Sequence, residues 1–248
     1  MLKCYWLTLA VAVVTALTPK VSADDQAEAK AVIAKAIDAM GVKAREEYEE
    51  YNAMTFKEKG TYYGMGEAGV PYSGDYAVQF PDQFRMTIEG VFEVVLDRDK
   101  GWIKMGGEAQ EMNETQLKET REQQYAAGVT MLTPVLKEGY RLSLVNDAKA
   151  ASKPALGVTV SHEGHRDVKL YFDPETHLLL RAETKVRAEE LGGREVVQIT
   201  LFRDYKEVQD IKVPTEVEVI RDGKKFLEAE QYDLKFEKAL DPDEFAKP

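Results

Sequence analysis

Hydrophobic positions along the chain follow two different periods. Near the N-terminus, Val32, Ile33, Ala36, Ile37 and Met40 recur at helical spacing. Asp25-Gln-Ala-Glu28 precedes them as a start signal and Gly41 follows as a stop. A polar, helix-prone extension continues to about Tyr51. From Thr55 the period becomes two, and strands are predicted over 55–64, 73–80, 83–90, 91–98 and 101–106. A glycine-rich loop, Pro81-Asp82 and Asp97-Arg-Asp-Lys-Gly101 punctuate them.

Residues 113–139 interrupt this rhythm. Asn113-x-x-Gln116 can cap a helix, Thr133-Pro134 can start another, and Gly128 between them predicts two short helices. Strands then resume at 140–145, 156–161, 167–172 and 177–188. In the last of these, Leu178, Leu180, Ala182, Thr184, Val186 and Ala188 share one face, and Arg181, Glu183, Lys185 and Arg187 share the other. Gly192-Gly193 and Asp222-Gly223 predict two more hairpins. In the final strand, 225–237, the alternation slips near Glu230, as a bulge requires.

About ten or eleven strands without crossover helices exclude a parallel α/β fold. One-sided strands need a cover, and the only spare apolar elements are the N-terminal and middle helices. The prediction is a mainly β (α+β) fold: an incomplete antiparallel β-barrel with an N-terminal helix and a helical lid (114–138) over its open face.

Residues 1–23 read as a leader. Lys3 precedes a short apolar stretch, Trp6 to Leu17, and Val21-Ser22-Ala23 offers a signal-peptidase site. The stretch is too short for an anchored transmembrane helix. Cleavage near Ala23 leaves one expected domain, 24–248, that is exported, soluble and not membrane-spanning. The single cysteine, Cys4, leaves with the leader, so the remainder has no disulfide and no thiol chemistry. Loss of Lys3 and Lys20 takes Lys plus Arg from 33 to 31 against 44 Asp plus Glu, a net charge of −13 in place of −11. Such a surface repels nucleic acid and anionic headgroups.

Candidate chemistry does not assemble. Gly64-Met-Gly66-Glu-Ala-Gly69 matches a dinucleotide fingerprint, but Val70-Pro-Tyr-Ser-Gly74 follows it where a helix N-terminus is needed, so it reads as a hairpin loop. His162, His165 and Asp167 fall short of a metal site, because His177 is the only other histidine and lies at a different turn. Ser161 and His162 are neighbours on a strand and point to opposite faces, which separates them as nucleophile and base. No catalytic residue, metal or cofactor is therefore assigned, and binding is expected in place of catalysis. The cavity candidates are Phe84, Met86, Ile88, Phe92, Val94, Leu96 and Trp102 on strands, with Met131, Leu132 and Leu136 from the middle segment. Methionine among them suits a surface that repacks around varied apolar ligands.

Three segments carry a family resemblance: Lys169-Leu-Tyr-Phe-Asp-Pro-Glu-Thr-His-Leu-Leu-Leu-Arg181, Phe202-Arg-Asp-Tyr-Lys-Glu-Val-Gln-Asp-Ile-Lys-Val-Pro214, and Leu240-Asp-Pro-Asp-Glu-Phe245-Ala-Lys-Pro248. By motif over 165–248, and by element order elsewhere, the chain resembles the bacterial outer-membrane lipoprotein-sorting (LolA/LolB-like) superfamily. The resemblance implies an incomplete barrel with a helical lid around a hydrophobic cavity. It also implies a periplasmic carrier of lipid or acylated protein cargo, with an envelope protein as donor or acceptor. Gly128 and Thr133-Pro134 are its candidate lid hinges. The alternative is an envelope sensor or protein-interaction module that uses the same groove without lipid transport.

Overall fold

The computed structural model describes residues 23–41, 52–132, 134–150 and 153–248. Residues 1–22, which carry most of the predicted leader, residues 42–51 with the predicted helix-prone extension, Thr133 and residues 151–152 lie outside the described residues. Helix α1, Ala23–Ala39, is followed by β1 (Ala53–Tyr62), β2 (Val70–Gln79), β3 (Gln83–Ile88), β4 (Phe92–Asp97), β5 (Lys100–Lys104) and β6 (Gln110–Glu111). Helix α2, Glu114–Thr130, comes next, with a 3-10 turn at Pro134–Leu136. The chain then forms β7 (Tyr140–Val145), β8 (Lys149–Ala150), β9 (Lys153–Pro154), β10 (Leu156–His162), β11 (Val168–Phe172) and β12 (Leu179–Ala188). Three long strands finish it: β13 (Arg194–Val208), β14 (Ile211–Arg221) and β15 (Lys224–Glu237).

Thirteen strands form one antiparallel sheet in the order β6-β5-β4-β3-β2-β1-β15-β14-β13-β12-β11-β10-β7, while β8 and β9 pair separately. Its first and last strands are not hydrogen-bonded to each other, so the barrel is incomplete, as predicted. Most of the excess over the expected strand count comes from the short β6, β8 and β9, which carry too few residues to show a period. At the Asp222-Gly223 hairpin both residues have positive φ, 50° and 75°, which matches the right-handed twist of the strands it joins.

Helix α1 buries the stripe Ala29, Ile33, Ala36, Ile37 and Met40. The stripe packs with Leu142, Val158, Val160, Val168, Leu170 and Phe172 from β7, β10 and β11. Because β7 is a sheet edge, its free amides need partners. Gln26 of α1 supplies one, its Oε1 accepting from the Leu142 N–H at 2.7 Å. At the other end of α1, the Met40 carbonyl accepts from the Lys212 N–H at 2.7 Å.

The middle segment differs from its prediction. The Asn113–Gln116 capping box forms, with both reciprocal bonds at 3.0 Å. The helix then runs unbroken through Gly128. A Cβ there would meet the Phe80 ring at 3.2 Å, so this glycine permits close packing and is not a break. Helix α2 spans the open seam of the sheet. Leu117 packs with Leu96 near one edge, and Tyr125 stacks on His165 beside the other.

Two bulges shift the expected alternation. Between Tyr171 and Phe172 the β11–β12 register slips, so Leu179 and not Leu180 enters the core. In β15 the slip falls at Asp233 (φ 52°), opposite Thr55–Lys57 and three residues beyond the position read from the sequence. The C-terminal segment seals the outer face of β2–β5. Phe245 is buried against Ala77 and Val95, and Arg85 donates to the Glu244 carbonyl at 2.5 Å.

Candidate functional site

The inner face of the sheet, on which both helices pack, can be followed strand to strand by its pairs. One row runs Leu144–Val158–Leu170–Ala182–Thr200–Val219–Leu227–Tyr62. It begins in the closed core under α1 and ends near the β1–β2 turn. The helices pack chiefly on β4, β7, β10, β11 and β12. The far parts of β13, β14 and β15 are therefore left with a half-buried apolar surface of Phe202, Val217, Val219, Leu227 and Tyr62.

The neighbouring rows run Met54–Val78–Phe84–Leu96 and Phe56–Tyr76–Met86–Val94. Phe56 and Tyr76 stack with ring centroids 4.6 Å apart. Of the residues selected from sequence, Phe84, Met86, Val94 and Leu96 come together here, and Ile88 and Phe92 pair directly in the next row. Met131, Leu132 and Leu136 belong to the α1-side cluster. Trp102 stands apart: it pairs with Val95 and packs with Ala77 and Phe245 on the opposite face.

A polar group missed by sequence reading lies within this wall. Glu58 occupies the inner face of β1 and is only 6% exposed. Its partner on β2 is Gly74, which carries no side chain, and Tyr72 and Tyr76 converge from either side of that glycine. Tyr72 donates to Glu58 Oε1 at 2.6 Å and Tyr76 to the same oxygen at 2.9 Å, while Gln231 donates to Oε2 at 3.0 Å. Burial first, and then the Glu58 carboxylate, holds both phenols well above the usual tyrosine value, so both remain donors. In the sequence Glu58 reads as one more solvated carboxylate beside Lys57 and Lys59. The one available signal is its parity with Met54 and Phe56.

The seam is held by a second polar cluster. Glu119 and Glu122 of α2 are each 8% exposed. Arg166 donates to both Glu119 oxygens at 3.1 and 2.8 Å, and the Arg187 N–H donates to it at 2.9 Å. Glu122 binds His165 Nδ1 at 2.9 Å and the Arg166 N–H at 3.0 Å. Burial alone raises the Glu119 pKa, but these bonds outweigh burial and hold it below the usual carboxylate value. His162 and His165, read as a polar turn, thus join an aromatic and acidic contact with α2. No metal-binding group of His, Cys, Asp or Glu occurs among the described residues.

Solved structures of the LolA superfamily share this fold. A LolA superfamily protein from Nitrosomonas europaea superposes with a TM-score of 0.59 at 10% identity, over 88% of this chain and 97% of the other. A putative outer membrane lipoprotein-sorting protein domain from Vibrio parahaemolyticus gives 0.55 at 14% identity over the same shares. A DUF1329 family protein from Desulfovibrio piger gives 0.57 at 12% identity, again over 88% and 97%. No family model matches the sequence, and no curated protein matches it. Among the described residues no helix is long and apolar enough to cross a membrane.

Proposed function

We propose that the protein is a periplasmic carrier that holds a lipid or acyl chain against the part of the sheet's inner face that the helices leave uncovered. The observation that carries this reading is the row from Leu170 to Tyr62. It continues the apolar core past the cover of the helices and leaves Val219, Leu227 and Tyr62 half-buried. An ordinary core closes over such a row; a binding wall leaves it for a guest. Burying apolar area of the guest is worth about 25 cal/mol per Å², and the transfer needs no covalent step. The shared fold with a lipoprotein-sorting domain supports the same reading.

Native mass spectrometry of the protein purified from its own host tests it. Co-purifying lipid or acylated peptide is expected. A preparation without any lipid, together with a wall filled by the protein's own side chains, overturns the carrier. As a further check, Phe92→Asp is expected to abolish cargo retention in a variant that still folds.

A second reading, docking of an envelope protein as donor or acceptor, has its own observation. Met65, Val91 and Met105 are 81%, 58% and 73% exposed on alternate hairpin tips along one rim of the sheet. Cross-linking from these tips to a specific envelope protein is its test.

A further inference from the structure

The Glu58 cluster adds a chemical class to the cargo, an inference that rests on the carrier reading. A buried charge is costly unless paired, and replacing such a group by apolar residues often stabilises a protein. Among the described residues Glu58 forms no ion pair; its hydrogen-bond partners are two phenols and an amide. The lysines beside it on β1 face away and are engaged, Lys57 with Asp75 at 3.5 Å and Lys59 with Glu230 at 2.8 Å. A carboxylate accepts about four hydrogen bonds. Glu58 has two on Oε1 and one on Oε2, which leaves acceptor capacity at Oε2. Both phenols already donate to the carboxylate, so the site presents an acceptor and aromatic rings, the chemistry that receives an ammonium ion.

We propose that Glu58 anchors the ammonium group of an amine-bearing lipid whose chain lies along the adjacent inner-face apolar rows. The position fits. Apolar surface extends from Glu58 both ways, toward Phe56, Tyr76 and Met86 on one side and toward Val217 and Leu227 on the other. An anionic head placed there would face the carboxylate and be repelled.

Calorimetric titration of the native protein with decylammonium, decanol and decanoate tests the proposal. High salt is needed to screen the general attraction of an acidic surface for cations. Decylammonium is expected to bind at least about tenfold more tightly than the other two, the gain of a charge-assisted bond. Glu58→Gln, nearly the same in shape, is expected to remove that preference. Equal affinity of the native protein for the three amphiphiles overturns the anchor and leaves the carrier standing, and this comparison does not depend on any variant folding. Decylammonium binding untouched by Glu58→Gln also overturns it. Absence of binding by all three removes the carrier reading and the anchor with it.

Discussion

At the α1 end of the inner face, Ile33, Val158, Leu170 and Phe172 have no exposed surface. At the other end, Tyr62, Phe202, Val217 and Leu227 remain half-buried and a carboxylate sits among them. Both ends lie on one continuous sheet face and use the same residue types. The difference lies in what covers them. Helix α1 presents an apolar stripe to the first, whereas no described helix packs closely on the second. Hydrophobicity along a strand thus reports which face is apolar and not what covers it, a helix or a guest.

The largest effect that sharpens this contrast is expected in the closed half. Leu170→Ala is predicted to cost about 2–5 kcal/mol in denaturant unfolding, because its surroundings cannot collapse into the cavity. Leu227→Ala in the open half is predicted to cost about 1 kcal/mol or less and to weaken cargo retention instead. Equal stability losses at the two sites would erase the distinction.

Next in size is the seam. Arg166→Ala leaves the buried Glu119 without its guanidinium, and a loss of about 3 kcal/mol is expected. Faster amide exchange in α2 than in α1 is the measurement that locates the loss. The same contact fixes a pH dependence. The folded-state pKa of Glu119 lies below its usual 4.5, so its contribution is fully present above that value and is lost as pH falls through the folded pKa. Exchange in α2 is therefore expected to accelerate below about pH 4.5, ahead of exchange in the α1 core.

The smallest effect expected is that of Gly128→Ala. Helix propensity gains about 1 kcal/mol, and the 3.2 Å approach to Phe80 opposes it. A net change under about 1 kcal/mol follows. Cargo release separates packing from hinging at this position. An unchanged release rate agrees with a glycine kept for contact with Phe80, and slowed release restores the hinge predicted from sequence.

Most of the fold was legible because one-sided strands and a capped helix leave local signatures. The Asn113–Gln116 box and the strand at 140–145 appear as read. Gly128 misled because a glycine kept for close packing looks the same in sequence as one that ends a helix. Phe84, Met86, Val94 and Leu96 were legible as one wall because they alternate on paired strands. Trp102 was not placed correctly among them, since its face depends on its register with Val95. His165 and Glu122, 43 positions apart, carry no local sign of their contact.

By itself the sequence determined the period of each element, the antiparallel class and the need for a helical cover, since these follow from which residues avoid water every second or every fourth position. Tertiary structure alone decided which parts of the sheet that cover reaches. It also turned Glu58 from a surface charge into a buried one, because Tyr72 and Gln231 reach it only once β1 lies between β2 and β15.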